Sequence, residues 1–289
     1  MISEIPGVRV GHYTDRDAAT GCTVIVPPAG TVGACEVRGG GPGSREIALL
    51  DPASGVTGPT ALLFTGGSAF GLAAAVGVMA WCEELGLGHD SGVARVPIVP
   101  AAGIYDLGLN GGATRPGPDA GRAAAEAAVS GAHATGCVGA GTGATVGKTR
   151  GREGWMKGGV GAAQASLHDG TRVAALAVVN AFGDIIDAAG KVIAGARDDR
   201  GRLIGAARWS LENDPEHLRL RGGENTTLAC IVTDAVLDKS EALQVARMAT
   251  GALGRAISPA MTTLDGDIVF CLATGARQAH HPVLVGIGA

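Results

Sequence analysis

The stretch that decides the fold is Glu224-Asn225-Thr226-Thr227, followed by Leu228-Ala229-Cys230-Ile231-Val232. The last five residues are apolar without interruption, which is typical of a strand buried on both faces of a sheet. Before them lies segment 197–224, in which 12 of 28 residues are charged, against 17% for the whole chain. A polar surface loop is therefore predicted to enter the protein interior at the Asn225–Thr226 bond.

Strand and helix patterns alternate along the rest of the chain. Strands are predicted at residues 22–26, 61–64, 95–99, 172–179, 185–193, 226–233 and 268–273, and helices at 69–85, 118–130 and 239–257. Ser68 is expected to cap the first helix, and Gly86 and Gly131 are expected to end the first and second. This pattern predicts mixed α and β layers.

Composition excludes several classes of protein. The 289 residues are 46% hydrophobic but only 3% aromatic, and 49 are glycine, so the core must be built from small aliphatic side chains. A net charge of −4 without a basic stripe argues against a nucleic-acid partner. No apolar run reaches the length of a membrane span, and the N-terminus lacks a signal pattern, so we expect a cytoplasmic protein. The six cysteines form no C-x-x-C pair and are interpreted as buried, reduced thiols.

Two glycine-rich patterns imitate nucleotide-binding motifs. Residues 139–144 match G-x-G-x-x-A, but glycines follow where a helix is required, and position 164 is Gln instead of an acid. Gly147-Lys148-Thr149 resembles the end of a phosphate loop, but Thr142 occupies the position of the first glycine. The glycine-rich loop is expected instead to bring Lys148 close to a small chemical group. The scattered histidines predict no metal site.

The Asn225–Thr226 bond is a candidate for self-cleavage. The Thr226 hydroxyl would attack the carbonyl carbon of Asn225, and water would hydrolyse the resulting ester. The new α-amino group, with a pKa of about 7.7–8.0, would then act as general base for its own hydroxyl. Taken alone, the junction also fits a strand entrance without chemistry, or an N-glycosylation sequon.

Nine sequence blocks, in this order, carry a family resemblance: PGVRVGH at 6–12, RGGGPG at 38–43, TGGSAFGL at 65–72, VPIVPAA at 96–102, GTGATVGK at 141–148, KGG at 157–159, VNAFGD at 179–184, NTT at 225–227 and LDGD at 264–267. On these blocks the chain resembles the L-aminopeptidase/D-esterase family of autoprocessing N-terminal-nucleophile hydrolases. Within that family it is most similar to the 6-aminohexanoate-oligomer (nylon-oligomer) hydrolase branch. The blocks cover nearly the whole length, so the resemblance is far more specific than any single glycine motif.

The resemblance implies an α+β fold, a four-layer α/β/β/α sandwich. It implies a single domain, 1–289, that cuts itself into a large chain, 1–225, and a small chain, 226–289. The implied activity is hydrolysis of amide bonds in short linear peptides or 6-aminohexanoate-type oligoamides. Neither a metal nor an organic cofactor is implied, and a homo-tetramer is expected.

The resemblance also implies residue roles. Thr226 matches the nucleophile and new N-terminus, and Asn180 matches the side-chain amide that binds the oxyanion. Lys148 matches a lysine that favours the alkoxide and lowers the pKa of the new amine. Asp265 and Asp267 match the acidic pair that orients the ammonium and the hydroxyl. Because the two residues are two positions apart, both side chains are expected on the same face of a strand.

Further matching and diverging positions concern specificity. Tyr105 resembles a tyrosine that lines the substrate pocket. Aminopeptidase members have serine at the junction and a tyrosine in the glycine-rich loop, whereas this chain has Thr226 and Lys148 there. These differences favour the oligoamide-hydrolase branch. Two alternatives stay open: an autoprocessing acyltransferase that passes the acyl group to an amine, and a non-catalytic protein whose glycine loop binds an anion.

Overall fold

The computed structural model describes residues 1–213, 224–278 and 281–289. Its strands are β1 (Arg9–Asp15), β2 (Thr20–Val26), β3 (Val32–Val37), β4 (Gly43–Arg45), β5 (Leu62–Thr65), β6 (His89–Asp90), β7 (Arg95–Val96), β8 (Ala101–Gly103), β9 (Thr145–Val146), β10 (Met156–Lys157), β11 (Gly159–Ser166), β12 (Arg172–Asn180), β13 (Asp184–Ile186), β14 (Val192–Ala194), β15 (Thr226–Ala235), β16 (Ile257–Ser258) and β17 (Ile268–Arg277). Its helices are α1 (Ser68–Gly71), α2 (Ala74–Glu84), α3 (Leu107–Asn110), α4 (Pro118–Glu126), α5 (Ala206–Glu212), α6 (Lys239–Ala256) and α7 (Pro282–Gly288). Residues 214–223 of the predicted charged loop lie outside the described residues.

Two five-stranded sheets form the centre of the fold. The first sheet has the strand order β1-β2-β5-β8-β4, and the second has the order β11-β12-β15-β17-β3. β15 is the middle strand of the second sheet, antiparallel to β12 and parallel to β17. Every residue of β15 is buried. The uninterrupted apolar run after Thr226 therefore correctly predicts a strand buried on both faces, because a middle strand covered on both faces has no side facing water.

In the described part of the chain, three of the hydrophobic clusters lie between the layers of a four-layer arrangement. Between the two sheets, Phe64 of β5 contacts Phe270 of β17 with their ring centroids 5.7 Å apart. The outer face of the first sheet packs against α2 and α4. The outer face of the second sheet packs against α6 and α7. The predicted α+β, four-layer α/β/β/α sandwich is confirmed.

Helix α4 ends four residues before the predicted boundary. The sequence predicts a helix over 118–130, but the structure ends it at Glu126. The next residues leave the helix because Val129 pairs with Val10, each main-chain N–H donating to the other's carbonyl at 2.9 and 3.1 Å. A long-range pairing with β1 thus replaces the last helical turn.

Ser68 does not cap a helix, which corrects the sequence prediction. Gly67 stands at the N-terminus of α1 with a φ of +77°, and no side chain caps the helix there. The main-chain N–H of Gly67 instead donates to the carboxylate of Asp106, which comes from a distant part of the chain. The predicted helix 69–85 is also divided into α1 and α2. Gly86, with a φ of +66°, follows the end of α2 as predicted.

Two predicted strands are shorter than expected. Only Arg95 and Val96 of the predicted strand 95–99 pair, because Pro97 has no N–H to donate to a ladder. Residues 185–193 form the hairpin β13–β14 instead of one strand. The N–H of Asp187 donates to the carbonyl of Lys191, and Gly190 has a φ of +79°, so the chain turns back between them.

Two further expectations from composition concern membranes and thiols. Within the described part of the chain, no helix combines the length and the apolar character that crossing a membrane requires. All six cysteines are free thiols, and four are buried. Cys35 is half-buried and Cys137 is exposed, so the prediction of buried thiols is wrong for these two.

Candidate active site

The second sheet brings four of the predicted site residues to one end. In the ladder between β12 and β15, Asn180 lies opposite Thr226, so the last residue of one strand meets the first residue of the next. Because β17 runs parallel to β15, the loop before β17 reaches the same end of the sheet. There Asn225 forms an isolated β-bridge with Asp265. Residues far apart in sequence therefore become neighbours through strand pairing.

The predicted cleavage junction is buried. Asn225 and Thr226 are only 2% and 3% exposed. The Thr226 Oγ1 hydroxyl donates to the carbonyl oxygen of Asn225 at 2.5 Å. The main-chain N–H of Gly266 donates to the same oxygen at 2.7 Å. The hydroxyl predicted to attack is thus already in contact with the carbonyl group it would attack.

Lys148 lies directly after the turn at Gly147, which has a φ of +70°. Its buried Nζ donates to Asn180 Oδ1 at 2.8 Å, to the carbonyl of Glu224 at 2.8 Å and to the carbonyl of Asn180 at 3.3 Å. Burial lowers the pKa of Lys148 to about 7, while the nearby carboxylate of Asp265 acts in the opposite direction. Three acceptors match the three donors of an ammonium group, so the anion-binding alternative gains no support from this lysine.

The Asn180 side chain is fully buried and hydrogen-bonded at both ends. Its Oδ1 accepts from Lys148 Nζ and from the main-chain N–H of Thr145 at 3.0 Å. Its Nδ2 donates to the carbonyls of Tyr105 at 3.2 Å and Glu224 at 3.3 Å. In the intact chain Asn180 therefore binds the carbonyl one residue before Asn225, and its role toward a substrate carbonyl stays a prediction.

The two predicted acids lie beside the junction and are held by the main chain. Asp265 accepts from the N–H and the hydroxyl of Thr262 at 3.0 and 2.5 Å. Asp267 accepts from the N–H of Thr227 at 2.5 Å. Burial and the adjacent Asp265 raise the pKa of Asp267 to about 6. Among the described residues the Thr226 hydroxyl bonds to neither carboxylate, so their orienting role also stays a prediction.

A cavity of about 370 Å³ lies next to the junction. Its wall combines apolar residues with charged and polar ones: Leu109, Trp155 and Phe182 on the one hand, and Tyr105, Asp106, Lys148, Arg152, Glu153, Glu224 and Asn225 on the other. Tyr105 therefore lines a pocket beside the predicted nucleophile. Its part in binding a substrate stays a prediction.

Asp106 is a buried carboxylate that was not among the residues predicted from the sequence. It is 3% exposed and accepts hydrogen bonds from the N–H of Gly67 at 2.7 Å and the hydroxyl of Thr20 at 2.6 Å. Burial raises its pKa. Because the next residue back, Tyr105, supplies a carbonyl to Asn180, Asp106 anchors one wall of the site. An acid two residues after the apolar segment 101–104 is the signal that could have identified it.

An Asp106→Ala variant is expected to lose about 1–3 kcal/mol in its free energy of unfolding, measured by urea denaturation. The reason is that the N–H of Gly67 and the hydroxyl of Thr20 would be buried without their acceptor. As a control, Asp199→Ala removes a carboxylate that is 87% exposed and pairs with Arg150 at the surface, so a change below about 1 kcal/mol is expected. Equal losses in the two variants would contradict the anchoring role.

Solved structures of other proteins share this architecture. A β-aminopeptidase of Burkholderia sp. superposes with a TM-score of 0.67 and 25% identity, covering 97% of this chain and 75% of its own. The L-aminopeptidase D-Ala-esterase/amidase of Ochrobactrum anthropi, described as a variant of the Ntn hydrolase fold, has a TM-score of 0.70 and 19% identity, covering 97% of this chain and 77% of its own. This chain therefore has the fold of the Ntn hydrolases.

Sequence relatives identify the family. An uncharacterized aminopeptidase of Mycobacterium leprae is 44% identical over 298 residues, spanning 96% of this chain and 79% of the relative. A 6-aminohexanoate-oligomer endohydrolase of Paenarthrobacter ureafaciens is 33% identical over 279 residues, spanning 94% and 74%. The pattern of peptidase family S58 matches residues 1–287. The resemblance inferred from the nine sequence blocks is confirmed: this chain is a hydrolase of amide bonds and belongs to peptidase family S58.

Proposed function

We propose that the chain cuts itself between Asn225 and Thr226 and that the new N-terminal Thr226 then hydrolyses amide bonds in short linear substrates. One observation carries the proposal: the buried Thr226 hydroxyl lies 2.5 Å from the carbonyl oxygen of Asn225, beside a cavity. This hydrogen bond holds the hydroxyl beside the carbonyl group whose carbon atom it would attack, so the two groups are already ordered relative to each other.

In the proposed mature enzyme, the free α-amino group of Thr226 takes the proton from its own hydroxyl. The hydroxyl oxygen attacks the substrate carbonyl, the amine part of the substrate leaves with a proton, and an acyl ester remains on Thr226. Water then hydrolyses this ester and restores the hydroxyl. Asn180 donates to the developing oxyanion, and Asp265 and Asp267 orient the new ammonium group.

The two proposed pieces would stay together as one domain. β15 and β17 belong to the small piece, 226–289, but they pair with β12 and β3 of the large piece, 1–225. The small piece also provides Phe270 to the core between the sheets, against Phe64 of the large piece. Breaking the one peptide bond directly before β15 removes none of these contacts.

Intact-mass spectrometry under denaturing conditions tests the proposal. We expect two masses whose sum exceeds that of the 28.5 kDa chain by one water, and N-terminal sequencing of the smaller piece should begin at Thr226. A single mass that persists for days at neutral pH, or a different start of the small piece, would contradict self-cleavage at this bond.

The cavity and the relatives support the proposed substrate class. Leu109, Trp155 and Phe182 offer apolar surface for a methylene chain, each buried methylene contributing about 0.8 kcal/mol. Relatives are named as aminopeptidases and as a 6-aminohexanoate-oligomer endohydrolase, so we propose short peptides or 6-aminohexanoate-type oligoamides as substrates. Rates on 6-aminohexanoate oligomers, β-peptides and D-amino-acid amides, measured side by side, decide among these.

The rate of self-cleavage is expected to peak between about pH 6 and pH 7. Below pH 6 Asp267 takes up a proton and loses its charge, because its pKa is raised to about 6. Above pH 7 Lys148 loses its proton, because its pKa is lowered to about 7. Chain freshly made by cell-free synthesis, shifted to buffers from pH 5 to pH 9 and followed on denaturing gels, gives this profile. A rate that keeps rising above pH 8 would contradict the need for a charged lysine.

We further propose that the chain forms homo-tetramers and acts in the cytoplasm. Exposed apolar side chains on α7 support self-association, since Ile287 is 70% exposed and Leu284 is 42% exposed. Six free thiols fit a reducing compartment. Analytical ultracentrifugation and cell fractionation test the two statements separately.

A further inference from the structure

We propose that self-cleavage and substrate hydrolysis use different oxyanion donors: the main-chain N–H of Gly266 serves self-cleavage, and the side-chain amide of Asn180 serves the substrate. This inference rests on the proposed function and adds a catalytic group to the same site. It makes Gly266 a catalytic residue of the intact chain alone, because its N–H contacts the reacting carbonyl.

In the intact chain the donors predicted for the substrate are already occupied. Asn180 Nδ2 and Lys148 Nζ both donate to the carbonyl oxygen of Glu224, at 3.3 and 2.8 Å. This carbonyl belongs to the residue before Asn225, whose own carbonyl is the one to be attacked. Charge that develops on the oxygen of Asn225 must therefore be stabilised by another donor.

Gly266 provides that donor. Its N–H lies 2.7 Å from the carbonyl oxygen of Asn225, in a site where Asn225 and Thr226 are both buried. A hydrogen bond to an oxygen that becomes negative gains strength in a site from which water is excluded. No rearrangement is needed for Gly266, because the same contact exists before the reaction begins.

Self-cleavage then proceeds in two steps, transfer of the acyl group from nitrogen to oxygen and hydrolysis of the resulting ester. The Thr226 oxygen bonds to the carbonyl carbon of Asn225, the carbonyl π electrons move onto the oxygen held by Gly266, and the hydroxyl proton passes to the main-chain nitrogen of Thr226. Collapse of the oxyanion breaks the carbon–nitrogen bond and leaves an ester and a free amine. Water attacks the ester, which releases the carboxyl group of Asn225 and the hydroxyl of Thr226.

The structure also explains why this position is glycine. A Cβ at position 266 would lie 2.7 Å from the carbonyl oxygen of Gly41 and 2.8 Å from Thr226 Oγ1. These approaches are closer than real Cβ contacts allow, so a side chain would push the nucleophile away from its target. After cleavage, Glu224 is no longer joined through Asn225 to the strand. The donors on Asn180 and Lys148 can then turn to a substrate carbonyl.

The direct test removes only the N–H of Gly266. Glycolic acid is placed at position 266 by nonsense suppression in cell-free synthesis, so that an ester replaces the amide. We expect self-cleavage to slow by about 10²–10³-fold, the loss typical of one oxyanion donor. The matched control is glycolic acid at position 41, whose N–H donates to the carbonyl of Asp265 at 2.9 Å. The ester at 41 removes the hydrogen bond to the Asp265 carbonyl, which the ester at 266 also weakens. We expect the ester at 41 to slow cleavage by less than about 10-fold.

A second variant separates the two donors. Asn180→Ser is expected to reduce hydrolysis by the cleaved enzyme by about 10²–10³-fold but to slow self-cleavage by less than about 10-fold. Equal cleavage rates in the unmodified and the 266-ester chains would overturn the inference, as would a larger effect of Asn180→Ser on cleavage than on hydrolysis. If the unmodified chain does not cut itself at all, the proposed function fails instead, so the two failures are distinguishable.

Discussion

A Thr226→Val chain is expected to remain a single intact chain and to lose activity by roughly 10⁴-fold or more, as happens when a covalent nucleophile is removed. Valine keeps the shape and the strand preference of threonine, so β15 should form unchanged. It lacks the hydroxyl that lies 2.5 Å from the carbonyl oxygen of Asn225. Intact mass and hydrolysis of an oligoamide measure both losses in one preparation.

Thr226→Ser is the matched control for this variant. Serine keeps the hydroxyl and the ability to become an N-terminal nucleophile, so this chain should still cut itself and hydrolyse substrate. Circular dichroism and urea unfolding of both variants show whether the fold is preserved. Cleavage of a well-folded Thr226→Val chain at the same bond would refute the assigned nucleophile.

A Lys148→Met chain is expected to hydrolyse substrate about 10²–10³-fold more slowly and to cut itself at a reduced rate. The substitution keeps an unbranched apolar stem but removes the buried ammonium that contacts Asn180 Oδ1 and the carbonyl of Glu224. Both oxygens lose a charged donor, and the site loses the positive charge that favours the Thr226 alkoxide. Time courses of cleavage and initial rates of hydrolysis give the two effects.

Lys157→Met tests whether any lysine of the glycine-rich region would have the same effect. Lys157 Nζ donates to the carbonyls of Thr142 and Ala144 at 2.7 and 2.8 Å, and its hydrogen bonds do not reach the junction. We expect its loss to change the cleavage rate by less than about 10-fold. Similar losses in the two variants would show that loop order, and not the charge of Lys148, controls the rate.

The central strand β15 and the helices α2, α4 and α6 were readable from the sequence because local patterns determine them, whereas the short helices α3, α5 and α7 were not predicted. The uninterrupted apolar run after Thr226 predicts a middle strand, and the predicted helix 239–257 matches α6, whose capping box joins Asp238 and Glu241. The predicted helix boundaries were wrong where contacts with a distant segment of the chain determine them. Val10 ends α4 early by pairing with Val129, and the residue before α1, Gly67, bonds to the distant Asp106 while no side chain caps that helix.

The candidate site was only partly readable from the residues themselves. The polar-to-apolar junction identifies Thr226, but Asn180 and Asp265 reach it through the pairing of β12 and β17 with β15, which local pattern does not reveal. Those positions came from the family resemblance. Asp106 carries no motif, because its importance comes from contacts with Thr20 and Gly67 that exist only in the folded chain.

The middle position of β15 has a consequence for the proposed two-piece enzyme. A piece that supplies the central strand of a sheet cannot dissociate without opening the core, so the large and small chains would behave as an obligate heterodimer. Its stability would then depend on protein concentration by mass action once the pieces come apart. Dilution alone should leave the enzyme active, whereas brief unfolding followed by dilution should abolish its recovery.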